Sequence, residues 1–137
     1  MLMRASPHEA LIGRVTLPGD VTKTQHALLS AALAVGSSRI GSAPETEEIL
    51  ATVATLHSLG VAIERTAEGE WHVEGVGIGG LAEPRTVLRP GADVLAALTG
   101  ALAGHGFTSF VAATDPRPTD RRPKFLTPLA KMGAGVL

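Results

Sequence analysis

Thr22, Lys23 and His26 follow closely on the break at Pro18-Gly19, and a hydroxyl, an ammonium and an imidazole grouped so tightly could grip an anion. Pro18 and Gly19 end a strand, and Asp20, Thr22 and Thr24 can each cap a helix. The run from His26 to Val35 is apolar and Ala-rich before Gly36 stops it. A strand, a turn and a helix N-terminus in that order aim backbone N–H groups at one point, which suits a phosphate or a carboxylate. The same residues also read as a tight Pro-Gly-Asp turn followed by helix caps, with His26 a first-turn surface histidine. Two further places carry charge. Pro90-Gly91-Ala92-Asp93-Val94 repeats the Pro-Gly break, and Asp93 reads there as a helix N-cap that would repel an anion. Asp115 to Pro123 is a proline-rich loop in which Arg117, Arg121 and Arg122, with Lys124 beside them, form a small basic patch or a solvated loop.

Elements that position these residues can be read from periodicity. Ile12 to Leu17 alternates apolar and polar residues and predicts a strand; the helix after the turn is expected to run to Val35. A short strand is expected over Ser37 to Ala43. Pro44 and the three glutamates Glu45, Glu47 and Glu48 suit the positive start of a second helix. Ile49, Val53 and Leu56, with Leu50 beside them, form its apolar stripe, and Gly60 ends it. Val61 to Ile63 and Trp71 to Val73 flank the polar turn Thr66 to Glu70 and predict a hairpin.

The pattern then starts again. Pro18 reappears as Pro90 at an offset of 72 residues, and Gly60 as Gly133 at 73. Val94 to Ala103 echoes the first helix, Thr108 to Ala113 the strand after it, and Lys124 to Met132 the second helix. Agreement across four elements predicts an internal duplication: one β-α-β-α-β-β unit over about 12–80 and a second over about 86–137. The second stops after Gly135-Val136-Leu137, without a counterpart of Trp71 to Glu74. We therefore expect an α/β chain (α+β in some schemes), a single domain of 137 residues whose second unit is truncated. Unmatched edges at Val15 and Val136 point to a homo-oligomer or a complementing domain.

Composition narrows the function classes. The 45% apolar content is enough for a core. A net charge of −1, one Trp, three Phe and no Tyr argue against nucleic acid as a partner. The absence of Cys removes disulfides, zinc–thiolate sites and a cysteine nucleophile, and fits the cytoplasm. No apolar run reaches the ~20 residues of a membrane helix, and Met1 to Glu9 does not read as a signal peptide.

Leu17-Pro18-Gly19-Asp20, Ala27-Leu28-Leu29, Ala31 to Ala34, Gly36, Ser38-Arg39-Ile40 and Leu59-Gly60-Val61 resemble the opening of the EPSP synthase (3-phosphoshikimate 1-carboxyvinyltransferase) family, whose signature runs L-P-G-D-K-S-x-x-x-R-A-L-L. The likeness extends from Gly13 to the end. It implies a fold of six such units, three in each of two domains with substrates in the cleft between, of which this chain covers the first third or so. The strand around Val15 would belong to the other domain's sheet. It also implies enolpyruvyl transfer from phosphoenolpyruvate to shikimate 3-phosphate with no metal or redox cofactor. Two anionic substrates need Lys and Arg to neutralise them.

In register, the family's Lys falls on Val21, its Ser on Thr22 and its Arg on His26; a two-residue shift would let Lys23-Thr24 stand for the Lys-Ser pair. The family's G-N-[SA]-G-T loop is shortened at Gly91. Arg122 lands on the Arg of the family's Arg-Pro loop, which holds phosphoenolpyruvate. The candidate substrate-binding residues are thus Thr22, His26, Arg122 and, in the shifted register, Lys23. The resemblance assigns no catalytic residue to this chain, because the family's general acid/base lies in the other domain. A sister family, UDP-N-acetylglucosamine enolpyruvyl transferase, uses a loop Cys in many members; this chain has none. Two readings of function result: a fragment or diverged relative of a carboxyvinyl transferase that is not competent alone, or a non-catalytic anion-binding or protein-interaction module on the same scaffold.

Overall fold

Asp20 starts the first helix. Its carboxylate accepts from the Lys23 backbone N–H at 2.8 Å, closing an N-cap, and helix α1 runs Val21–Leu33. In this computed structural model, residues 3–4, 10, 12–112 and 124–136 are described. α1 buries Leu28, Leu29, Ala31 and Ala32, and the two alanines let the next layer approach closely. It ends at Leu33, with Ala34 as C-cap, rather than at Val35. The Ala34 carbonyl instead accepts from Gly77 N–H, and Val35 pairs with Val76, so the sheet captures the chain two residues early.

Strand β1 spans Val35–Ile40, and Gly36 lies inside it at φ +94° rather than acting as a helix stop. Helix α2, Glu47–Ser58, takes Thr46 as N-cap; Pro44 lies two residues ahead of that cap, not in the first turn. Glu47 and Glu48 occupy the first turn, where the helix dipole favours them. Ile49, Val53 and Leu56 are buried as their spacing requires, whereas Leu50 stays 43% exposed. Gly60 follows at φ +85°, a left-handed closure that suits glycine.

β2 (Ala62–Arg65) and β3 (Trp71–Val76) form the expected antiparallel hairpin. Its turn is held by Thr66 N–H to the Glu70 carbonyl and by Glu70 N–H to the Thr66 hydroxyl. There the Glu68 carboxyl is held below its ordinary value, first by its own backbone N–H and then by the Thr66 hydroxyl. β3 also pairs with β1 in antiparallel register from Val35–Val76 to Ile40–Trp71, so the sheet order is β1-β3-β2. α1 and α2 pack on this sheet around one core, in which Leu28, Ala32, Ile49, Leu59 and Val73 are fully buried.

Beyond Leu81 the chain folds back onto that core. A short 3-10 turn, Ala92–Val94, leads into helix α3, Leu95–Leu102, which buries Leu98 and Leu102. The strand expected around Val111 is reduced to a single parallel bridge, Leu88 to Val111. Helix α4, Leu126–Lys131, has no buried residue, and residues 134–136 after it are neither strand nor helix. Residues 12–17, expected as a strand, are also irregular. Ile12, Val15 and Leu17 are 96%, 82% and 81% exposed, and no described strand lies alongside to complete a ladder. Among the described residues, no helix is long and apolar enough to cross a membrane.

Candidate functional site

Capping decides which polar groups at the start of α1 face outward. Thr24 is buried, and its hydroxyl donates to the Asp20 carbonyl at 2.8 Å, so it is spent inside the helix. Lys23 is exposed, with Nζ 3.8 Å from the Asp20 carboxylate. Thr22 and His26, one turn apart on an exposed face, lie side by side: His26 Nδ1 donates to the Thr22 carbonyl at 2.9 Å. With Nδ1 so engaged, Nε2 is the ring atom left for another partner. Val21, at the position before Thr22, brings no charge.

The second Pro-Gly turn comes to meet this face. Gly91 is buried, and its N–H donates to the Thr52 hydroxyl on α2 at 3.2 Å. A Cβ built on Gly91 would lie 2.7 Å from Cδ of Gln25, so any larger residue must displace the Gln25 amide. Two residues on, Asp93 departs from the expected N-cap role. The α3 N-cap position is Val94, with no side-chain cap bond, and the Asp93 carboxylate instead accepts from the Thr22 hydroxyl across 71 residues of sequence. Beneath this contact Gln25 is 1% exposed, and neither its amide oxygen nor its amide nitrogen has a hydrogen-bond partner among the described residues.

The structure thus brings Thr22 and His26 together and leaves Lys23 against Asp20. Arg122, with Arg117 and Arg121, lies outside the described residues. Sequence reading missed Gln25 and the Thr22–Asp93 pair. A signal for Gln25 was present: with Leu28, Leu29 and Ala32 it falls on the i, i+3, i+4, i+7 stripe that α1 buries. Nothing local signals the Thr22–Asp93 pair. Among the described residues no group of three or more His, Asp or Glu is arranged to hold a metal ion. A cavity of about 140 Å³ lies elsewhere, between α2 and residues 87–89, with Ala51, Ala54, Ser58 and Arg89 in its wall.

Known proteins are similar to this chain in both sequence and fold. The family model for EPSP synthase (3-phosphoshikimate 1-carboxyvinyltransferase) matches residues 5–137. The 3-phosphoshikimate 1-carboxyvinyltransferase of Parvibaculum lavamentivorans is 42% identical over 96% of this chain, and that of Novosphingobium aromaticivorans 38% over 96%. Each match covers 30% of the relative, so the chain spans less than a third of the length of these enzymes. Among solved structures, EPSP synthase from Acinetobacter baumannii superposes with a TM-score of 0.76 at 30% identity, covering 90% of this chain and 28% of that one. With a family model matched from residue 5 to the last residue, and the helix-and-strand fold of those enzymes, the chain belongs to the EPSP synthase family.

Proposed function

We propose that residues 1–137 are an anion-binding part of an EPSP-synthase-type scaffold, related to enolpyruvyl transfer from phosphoenolpyruvate to shikimate 3-phosphate and not competent for that transfer by themselves. The observation that carries this reading is the family match over nearly the whole chain to enzymes of which the chain spans only 30%. Thr22 and His26 at the start of α1, together with Arg122, would meet the phosphate and carboxylate groups. Val21 and His26 stand where the family carries Lys and Arg. If each lost cation gave a charge-assisted hydrogen bond of ~1.5–3 kcal/mol, the two losses weaken binding by about 10² to 10⁴. Chemistry then falls to groups supplied by the rest of such a scaffold. Phosphate release from phosphoenolpyruvate and shikimate 3-phosphate tests this. The isolated chain is expected to give none, and turnover that survives repurification and disappears in Arg122→Ala would overturn the reading.

The same reading implies a partner, either a second copy or a domain that complements the scaffold. Exposed Ile12, Val15 and Leu17 support it, since an apolar segment with no ladder partner among the described residues is available to another strand. Sedimentation at micromolar concentration is expected to show self-association, or association with the remaining portion of a related synthase. A clean monomer with strongly protected amides at Val15 would mean that the chain closes its own edge.

A further inference from the structure

Ala51, Ala54, Thr55 and Ser58 recur at i, i+3, i+4 and i+7 on α2 and line the cavity of about 140 Å³ beside residues 87–89. The neighbouring segment adds Val87 and Arg89 to the lining. That segment is fixed in place: Leu88 N–H donates to the Phe110 carbonyl at 2.8 Å, and Gly91 N–H donates to the Thr52 hydroxyl on α2 at 3.2 Å. The cavity is therefore built into the fold rather than formed by a ligand. At about 140 Å³ it is smaller than the ~300 Å³ at which drug-sized ligands are held, so it fits a molecule of few non-hydrogen atoms. We propose that it binds a small monocarboxylate, the charged end held by the Arg89 guanidinium and the Thr55 hydroxyl and a short apolar tail lying against Ala51, Ala54 and Val87. This site shares no lining residue with the start of α1 and goes beyond the function proposed for that region.

Thr55 is the group that points to a ligand. It is 4% exposed, it lines the cavity, and its hydroxyl has no hydrogen-bond partner among the described residues. Thr52 and Ser58 on the same helix donate their hydroxyl hydrogens to carbonyls four residues back, those of Glu48 and Ala54. Thr55 does not, and a buried donor left unpaired is costly, so an acceptor entering the cavity gains by meeting it. Arg89 is exposed and forms no ion pair among the described residues, which leaves its guanidinium fork for a carboxylate. No other residue of the lining carries charge. Glu47 and Glu48 sit one turn before Ala51 on α2 and would repel a second negative charge. One guanidinium beside apolar walls thus matches a carboxylate on a short hydrocarbon better than a phosphate.

Sodium butyrate, titrated into the 137-residue chain with the Ala51, Ala54 and Thr55 methyl resonances followed by NMR, tests the proposal, with butyramide and inorganic phosphate as comparisons. Butyrate is expected to move these methyls with a dissociation constant on the order of 1–10 mM, and butyramide and phosphate to bind there at least about tenfold more weakly. Arg89→Gln should weaken butyrate binding by about tenfold or more, and Thr55→Val by about two- to tenfold. Ala54→Leu should abolish it by filling the cavity. Arg89 and Ala54 are exposed, so both of these variants should keep the wild-type circular dichroism, and Thr55→Val preserves the shape of the buried side chain. The proposal is overturned if butyrate moves none of these methyls at about 100 mM, or if Arg89→Gln and Ala54→Leu bind it as wild type does. Phosphate that moves the same methyls at the affinity of butyrate would overturn the monocarboxylate assignment.

Discussion

Residues 12–80 and 86–136 carry the same run of punctuation, a Pro-Gly turn, a small-residue helix and a second helix ending near a glycine, yet their described residues, 12–80 against 86–112 and 124–136, hold different amounts of structure. The first region builds helices of 13 and 12 residues, each with a side-chain N-cap, and joins them to a three-stranded sheet. Among the described residues of the second the helices have 8 and 6 residues, neither with a side-chain cap bond, and a single bridge stands in place of a sheet. Gly60 and Gly133 both follow their helices at positive φ, so the stop signal is kept while the start signal is lost. Apolar spacing alone does not make an element robust. A capped start and a sheet to pack against separate α1 from α3. What order α3 has comes from placing Val94, Leu98 and Leu102 on the core that the first region built.

The largest expected difference between the regions lies in that core. Leu28→Ala, at a fully buried site on α1, should cost ~2–5 kcal/mol in urea denaturation. Leu129→Ala on α4, which has no buried residue, should cost under about 1 kcal/mol. Equal costs would end the distinction. Two glycines sharpen it at intermediate scale. Gly91→Ala must push the Gln25 amide aside and is expected to destabilise by about 1–3 kcal/mol. Gly100→Ala, with open space around its new methyl in α3, should stabilise by roughly 0.5–1 kcal/mol, and opposite shifts in melting temperature would show both. Smaller still are the caps. Asp20→Ala or Thr46→Ala should each cost about 1 kcal/mol and speed amide exchange in the first turn of its own helix. Faster exchange in α3 instead would mean that the caps are not what separates the two regions.

Much of the first region was legible from sequence because its instructions act over a few residues. Asp20 is a cap whose carboxylate serves the N–H three positions on, and Ile49, Val53 and Leu56 declare their buried face through a 3.6-residue period, whereas the α2 cap at Thr46 is not singled out behind Pro44 and the glutamates. The hairpin of β2 and β3 is likewise set by two alternating runs around one polar turn. At the candidate site the four-residue spacing of Thr22 and His26 puts them one helical turn apart, and there His26 Nδ1 meets the Thr22 carbonyl.

The amino-acid sequence by itself thus determined the family and, through contacts between near neighbours in the chain, the two long helices with the Asp20 cap and the Gly60 stop, and the hairpin. Tertiary structure alone decided that β1 pairs with β3, that Ile12 to Leu17 is left without a ladder, that Gln25 is sealed against Gly91, and that Asp93 turns from its expected cap to Thr22. Alternation marks a segment able to pair, but a strand exists only where a second backbone lies alongside it. A carboxylate at a turn can serve its own helix or a hydroxyl 71 residues away, and the packing of two Pro-Gly turns against one helix face selects the second.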